Sequence, residues 1–155
     1  MRALFFYGSL RHLPLLRIVL GRDEGALNSR EARLPGARVC AVAEGPFPIL
    51  IDDPDGTARG VVVDDLTPGD LARLDYYEGG FGYTLVPMVL ADGQEVEVYR
   101  APEGCWTPDG DWLLDDWVAR WGEMSCYAAT EVMSYLGTKT ASEVAGSPSP
   151  SRSWR

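Results

Sequence analysis

A chain of 155 residues suits one domain, long enough to bury about two thirds of the surface its unfolded form exposes. Hydrophobic residues make up 46% and charged residues 24%, the balance of a soluble globular protein. The net charge of −9, the single lysine (Lys139) and the scattered arginines argue against a basic groove, and so against nonspecific binding to nucleic acid or to an anionic membrane.

Cys40, Cys105 and Cys126 are far apart and odd in number, and the lone His12 has no partner at metal-ligand spacing. Neither a zinc site nor a disulfide framework is expected, and the simplest location is a reducing cytoplasm. No apolar run approaches the ~20 residues that cross a bilayer, and the N-terminus starts as a strand rather than an export signal.

In chain order, residues 2–7 predict a buried strand. Residues 13–20 predict a short helix with Pro14 at its start and Gly21 at its end. Arg22 to Arg33 reads as a polar loop and Val39–Ala43 as a strand. Gly45-Pro46-Phe47-Pro48 reads as a turn, Ile49–Ile51 as a short strand, and Asp52–Gly56 as a second turn. Gly60–Asp64 is β-branched and strand-like, with Asp64 and Asp65 closing it. Thr67 is placed to cap a helix that starts at Pro68, runs to about Tyr77 and stops at Gly79-Gly80. Tyr83–Leu90 and Glu95–Arg100 flank an Asp92-Gly93 hairpin turn. Asp111 to about Leu136 reads as a long helical stretch punctuated by Gly122 and Gly137, and the Ser/Pro-rich segment from Gly146 has the composition of disorder. The pattern predicts an α+β fold, a small mixed, barrel-like sheet with packed helices.

Two features carry chemistry. On the helix from Pro68, Leu71, Leu74 and Glu78 recur at i, i+3 and i+7, one helical face. Glu78 therefore projects beside core leucines and sits in the last turn, at the negative end of the helix dipole. Both effects are expected to raise its pKa toward the range useful for general acid/base catalysis. The competing reading is a frayed end with a solvated acid. Asp75 lies off that face and reads as solvated or locally capping. The second feature is Tyr7-Gly8-Ser9-Leu10, between a strand and a helix. There Gly8 permits close backbone approach, and successive N–H groups form an anion nest suited to a carboxylate; the alternative is an ordinary tight turn. It is neither a phosphate-binding glycine loop nor a hydrolase elbow.

Phe6-Tyr7-Gly8-Ser9-Leu10 at the N-terminus, followed about seventy residues later by Leu74-Asp75-Tyr76-Tyr77-Glu78-Gly79, resembles the γ-glutamylcyclotransferase-like proteins, which include γ-glutamylamine cyclotransferases and AIG2-like proteins. Pro46-Phe47-Pro48-Ile49-Leu50, Gly60-Val61-Val62-Val63 and Tyr83 add to the likeness, which covers roughly residues 1–105. The resemblance implies conversion of a γ-glutamyl amine or peptide to 5-oxoproline and a free amine, without metal or cofactor. It makes Glu78 the general acid/base and Tyr7, Gly8, Ser9, Leu10 and Tyr83 the substrate-binding residues. Some members carry an arginine two residues after the matching tyrosine, where this chain has Leu85. No Nudix box accompanies the domain.

The expected organisation is a cyclotransferase-like core (1–105), a helical extension (106–137) packing on the core or a partner, and a tail (138–155). Trp112, Trp117 and Trp121 on the extension fit core packing; if exposed they would form a homodimer or partner face. Two further readings stand beside the enzyme: a noncatalytic binding module whose pocket is filled by Phe81 or Tyr83, and a hydrolase that releases glutamate. A cavity between Glu78 and the Gly8 turn separates the first of these from an enzyme.

Overall fold

The structure, a computed structural model, describes residues 2–22, 27–79 and 83–137. Six strands form one mixed sheet in the order β4-β5-β1-β3-β2-β6. They are β1 (Arg2–Phe6), β2 (Ser29–Val42), β3 (Gly45–Leu66), β4 (Thr84–Val89), β5 (Glu95–Arg100) and β6 (Pro108–Asp111). β1 runs antiparallel to β3 and parallel to β5. The α+β class holds, but the sheet stays open, with β4 and β6 as its edges.

Alternation along the central strands sorts side chains onto two faces. Leu4, Phe6, Val63 and Tyr99 enter a core shared with the helices, whereas Phe5, Val62, Val96 and Val98 enter a second core on the other face. The helical layer holds α1 (Leu13–Leu20), α2 (Pro68–Gly79), α3 (Leu114–Trp117) and α4 (Glu123–Ser134), the last two joined by a π-helical turn at Val118–Gly122. α1 ends as expected at Gly21, whose φ of +67° is left-handed. Trp117 is 3% exposed in the helix-side core, and Trp112 and Trp121 pack partly buried against it. The expected long helix starts only at Leu114, because Asp111 belongs to β6, and its one interruption is the π-helical turn at Val118–Gly122.

The largest departures lie in β2 and β3. Residues 29–33, expected as loop, pair with β3 from Ser29↔Val63 onward, and Ala32 and Leu34 supply the inward side. Both expected turns are irregularities within one 22-residue strand. The chain reverses at Ala43–Glu44, and the register then slips between Ala41↔Pro48 and Val42↔Gly45. A second slip, between Pro35↔Thr57 and Ala37↔Asp52, leaves residues 53–56 bulged out. There the Asp55 N–H donates to Asp53 Oδ1 at 3.2 Å. The turn chemistry is present, but the flanking ladder continues through it. Gly80, Phe81 and the 138–155 tail lie outside the described residues. Among the described residues no helix is long and apolar enough to cross a membrane.

Candidate active site

β1 delivers Phe5, Phe6 and Tyr7 to the middle of the sheet, and the chain then turns through a single 3-10 turn at Ser9–Arg11. The turn is closed by the Arg11 N–H donating to the Gly8 carbonyl and the His12 N–H to the Ser9 carbonyl, each at 3.0 Å. Gly8 is required by packing. A Cβ there would sit 2.9 Å from Pro48 Cγ, so only glycine lets this turn lie against β3. Tyr7 is buried, and its hydroxyl donates to the Tyr99 carbonyl oxygen at 3.1 Å. Leu10 is buried in the helix-side core, and Ser9 is half-buried.

α2 places the acid. The Asp70 N–H donates to Thr67 Oγ1 at 3.1 Å and the Thr67 N–H donates to Asp70 Oδ2 at 2.9 Å, a reciprocal N-terminal cap. Arg22 pairs with the buried Asp70 carboxylate and fastens the same end. Leu71 and Leu74 face the core, Leu74 with 0% exposure. The helix runs on to Gly79, so Glu78 lies within it, half-buried.

Glu78, Tyr83 and the Tyr7–Leu10 turn all line one cavity, together with Phe47, Pro48, Tyr77 and Tyr99. The volume open to the centre of a water molecule is about 70 Å³, roughly five times what a single water requires. Among the described residues Glu78 is the only acidic or basic side chain in that lining; aromatic rings form most of the rest. The Tyr7 phenol is pushed up by burial and by the nearby Tyr83 and Glu78. The Tyr99 phenol is pushed up by burial and by its bond to Asp75. Both tyrosines therefore stay neutral at physiological pH.

All six residues expected at the site thus line one cavity. Phe47, Pro48, Tyr77 and Tyr99 were not foreseen as pocket walls. Asp75 is exposed, as expected of a solvated acid, and its Oδ1 also accepts a 2.5 Å hydrogen bond from Tyr99 Oη. The one signal for Tyr99 was its place in the alternation of β5, opposite in phase to Val96 and Val98. His12 is outside the cavity, edge-on to Trp117 with ring centroids 6.3 Å apart.

Residues 4–114 match the model of the family described as "Gamma-glutamyl cyclotransferase, AIG2-like". The chain belongs to this family. Its sequence is 27% identical over 140 residues to AIG2-like protein B of Arabidopsis thaliana, covering 84% of this chain and 77% of that one. The solution structure of another Arabidopsis thaliana protein superposes with a TM-score of 0.58 at 22% identity, covering 90% of this chain and 94% of that one. The structure of a γ-glutamyl cyclotransferase gives a TM-score of 0.56 at 13% identity, covering 96% of this chain and 89% of that one. At these identities the two structural likenesses establish a shared fold, the mixed sheet and flanking helices of the AIG2-like cyclotransferase family.

Proposed function

We propose that this protein is a γ-glutamylcyclotransferase that converts a γ-glutamyl amine to 5-oxoproline and the free amine, with Glu78 as its general acid/base. One observation carries the reading: Glu78, among the described residues the only acidic or basic side chain in the cavity, stands in the same small space as the Tyr7–Leu10 turn.

The reaction needs little machinery. The nucleophile is the substrate's own α-amine, so the site must hold the glutamyl chain curled with nitrogen near the γ-carbonyl carbon. Glu78 takes one proton from the α-ammonium, and the amine nitrogen then bonds to the γ-carbon. The tetrahedral oxyanion collapses as the C–N bond to the leaving amine breaks and protonated Glu78 gives its proton to that nitrogen. Glu78 then takes the second proton from the ring nitrogen and passes it to the departing amine, leaving the neutral lactam and an ammonium. The first N–H groups of the Ser9–Arg11 turn lack intrahelical acceptors and are the donors for the glutamyl carboxylate or the oxyanion. Tyr83 and the aromatic walls exclude water, which favours ring closure over hydrolysis. Tyr7 acts chiefly through its ring, since its hydroxyl is engaged by the Tyr99 carbonyl.

The cavity between Glu78 and the Gly8 turn supports an enzyme over a module whose pocket is filled. Product analysis tests the reading. Incubation with a γ-glutamyl amine is expected to yield 5-oxoproline in equal amount to the freed amine. Glutamate in place of 5-oxoproline would mean hydrolysis, and no product from a folded protein across a range of γ-glutamyl amines would leave the noncatalytic module.

A further inference from the structure

The chain carries 23 acidic and 14 basic residues, so its arginines have carboxylates to spare. Arg2, Arg22, Arg30 and Arg100 each pair with a carboxylate and Arg38 with two, and Arg73 caps the carbonyls of Val19 and Ile18. Arg11, Arg33 and Arg59 do not. Among the described residues none of these three side chains has a hydrogen bond or ion pair. They come from three separate elements, yet they line one cleft of about 360 Å³ on the helix side of the β2–β3 ribbon.

Three features mark the cleft as built for an anion. Arg33 and Arg59 are direct cross-strand partners, and like charges in that relation destabilise a ladder unless something neutralises them. Arg11 Nε is buried without an acceptor, which costs stability for a charged group. Burial also holds the Arg11 pKa below its ordinary value, and Arg59 adds to this, against the opposing pull of Glu31 and Asp115. Glu31 is the one carboxylate in the lining. Within this lining three guanidiniums meet one carboxylate, a charge of +2 that suits a dianion better than a monocarboxylate, although Arg11 and Arg59 also border a neighbouring cleft that holds Asp111, Asp115 and Asp116. Planar guanidinium forks suit phosphate oxygens.

We infer that the Arg11–Arg33–Arg59 cleft binds a dianionic phosphate group, separate from the Glu78 cavity. Arg11 is the last residue of the turn whose Ser9 and Leu10 line that cavity, so the anion would also brace the turn from behind.

Amide NMR of the intact protein, titrated with inorganic phosphate against sodium chloride at matched ionic strength, tests this. Saturable shifts at Arg11, Arg33 and Arg59 are expected, extending to Ser9–His12. Arg33→Gln and Arg59→Gln, both exposed and tolerable on the ribbon, should each weaken binding about tenfold or more, and Arg120→Gln should leave it unchanged. Glycerol 2-phosphate separates sources: tighter binding than inorganic phosphate assigns the cleft to an organic phosphate, and equal binding to the free ion. In chloride alone, Arg59→Gln should melt higher than wild type, because it relieves the cross-strand repulsion, and phosphate should stabilise only the wild type. Unsaturable shifts, equal binding of acetate, or phosphate affinity unchanged in Arg59→Gln would overturn the assignment.

Discussion

Tyr99 Oη donates a 2.5 Å hydrogen bond to Asp75 Oδ1, fastening β5 to α2 three residues before Glu78. Asp75 and Glu78 lie about one helical turn apart, so the strand that builds the pocket wall also fixes the end of the helix that carries the acid. Tyr99→Phe and Asp75→Asn are each expected to lower kcat about tenfold, the value of one charge-assisted hydrogen bond. The double variant should be no worse than the poorer single one, because both remove the same contact. Steady-state kinetics on the four proteins checks this; additive losses would show the two residues acting separately.

Glycine replacement should separate positions that need closeness from one that does not. A Cβ on Gly60 would fall 2.3 Å from Phe5 Cε2 and 2.4 Å from the Phe6 carbonyl oxygen. Gly60→Ala is therefore expected to cost about 3 kcal/mol or more. At Gly69, in the first turn of α2, the nearest atom is 3.7 Å away, and Gly69→Ala should stabilise by about 0.5–1 kcal/mol. Gly8→Ala meets Pro48 at 2.9 Å; it should leave a folded protein and cut activity far more than stability, since the turn must back away from β3. Urea unfolding with parallel activity assays checks all three.

The pocket lining also sets a preference among leaving amines. Among the described residues the lining holds aromatic rings and Glu78 but no arginine, lysine or histidine, so it offers no cation to a second carboxylate. γ-Glutamyl derivatives of apolar or aromatic amines should show kcat/KM about tenfold or more above γ-glutamylglycine, since an unpaired carboxylate there would be desolvated without compensation. A matched substrate pair measures this directly, and equal values would contradict it.

His12 is the single histidine, and burial lowers its pKa below the ordinary 6.5. The unfolded chain therefore takes up this proton first as pH falls, so the His12 contribution favours folding fully above about pH 6.5 and weakens below it. Between about pH 5 and 6.5, above the carboxylate range, stability should fall with acidification, and His12→Gln should flatten that slope. Tyr7 and Tyr99 act at the other end. Their raised values mean that the unfolded state releases protons above about pH 10 while the folded state holds them. Stability should fall there, with these two phenolates appearing in the ultraviolet only on unfolding.

Features written in local periodicity were legible in the sequence. Thr67, Pro68, Leu71, Leu74 and Glu78 encode a capped helix and the side on which its acid emerges, and the structure places Glu78 on the cavity accordingly. Asp92-Gly93 encodes its hairpin for the same reason. What escaped depends on distant partners. Residues 53–56 carry every sign of a turn, yet β2 continues alongside and reduces them to a bulge. The Asp75–Tyr99 bond joins residues 24 apart in sequence. Arg11, Arg33 and Arg59 look scattered along the chain, and only the β2–β3 register and the turn after β1 gather them.

The central claim is that Glu78 moves the protons of a γ-glutamyl cyclisation. Its most direct test is the rate of 5-oxoproline formation from a γ-glutamyl amine by wild type and Glu78→Gln, with equal folding verified by circular dichroism and melting temperature. A loss of about a hundredfold or more in kcat with the fold intact is the expected result for removing a general acid/base. Turnover by Glu78→Gln close to that of wild type would contradict the assignment.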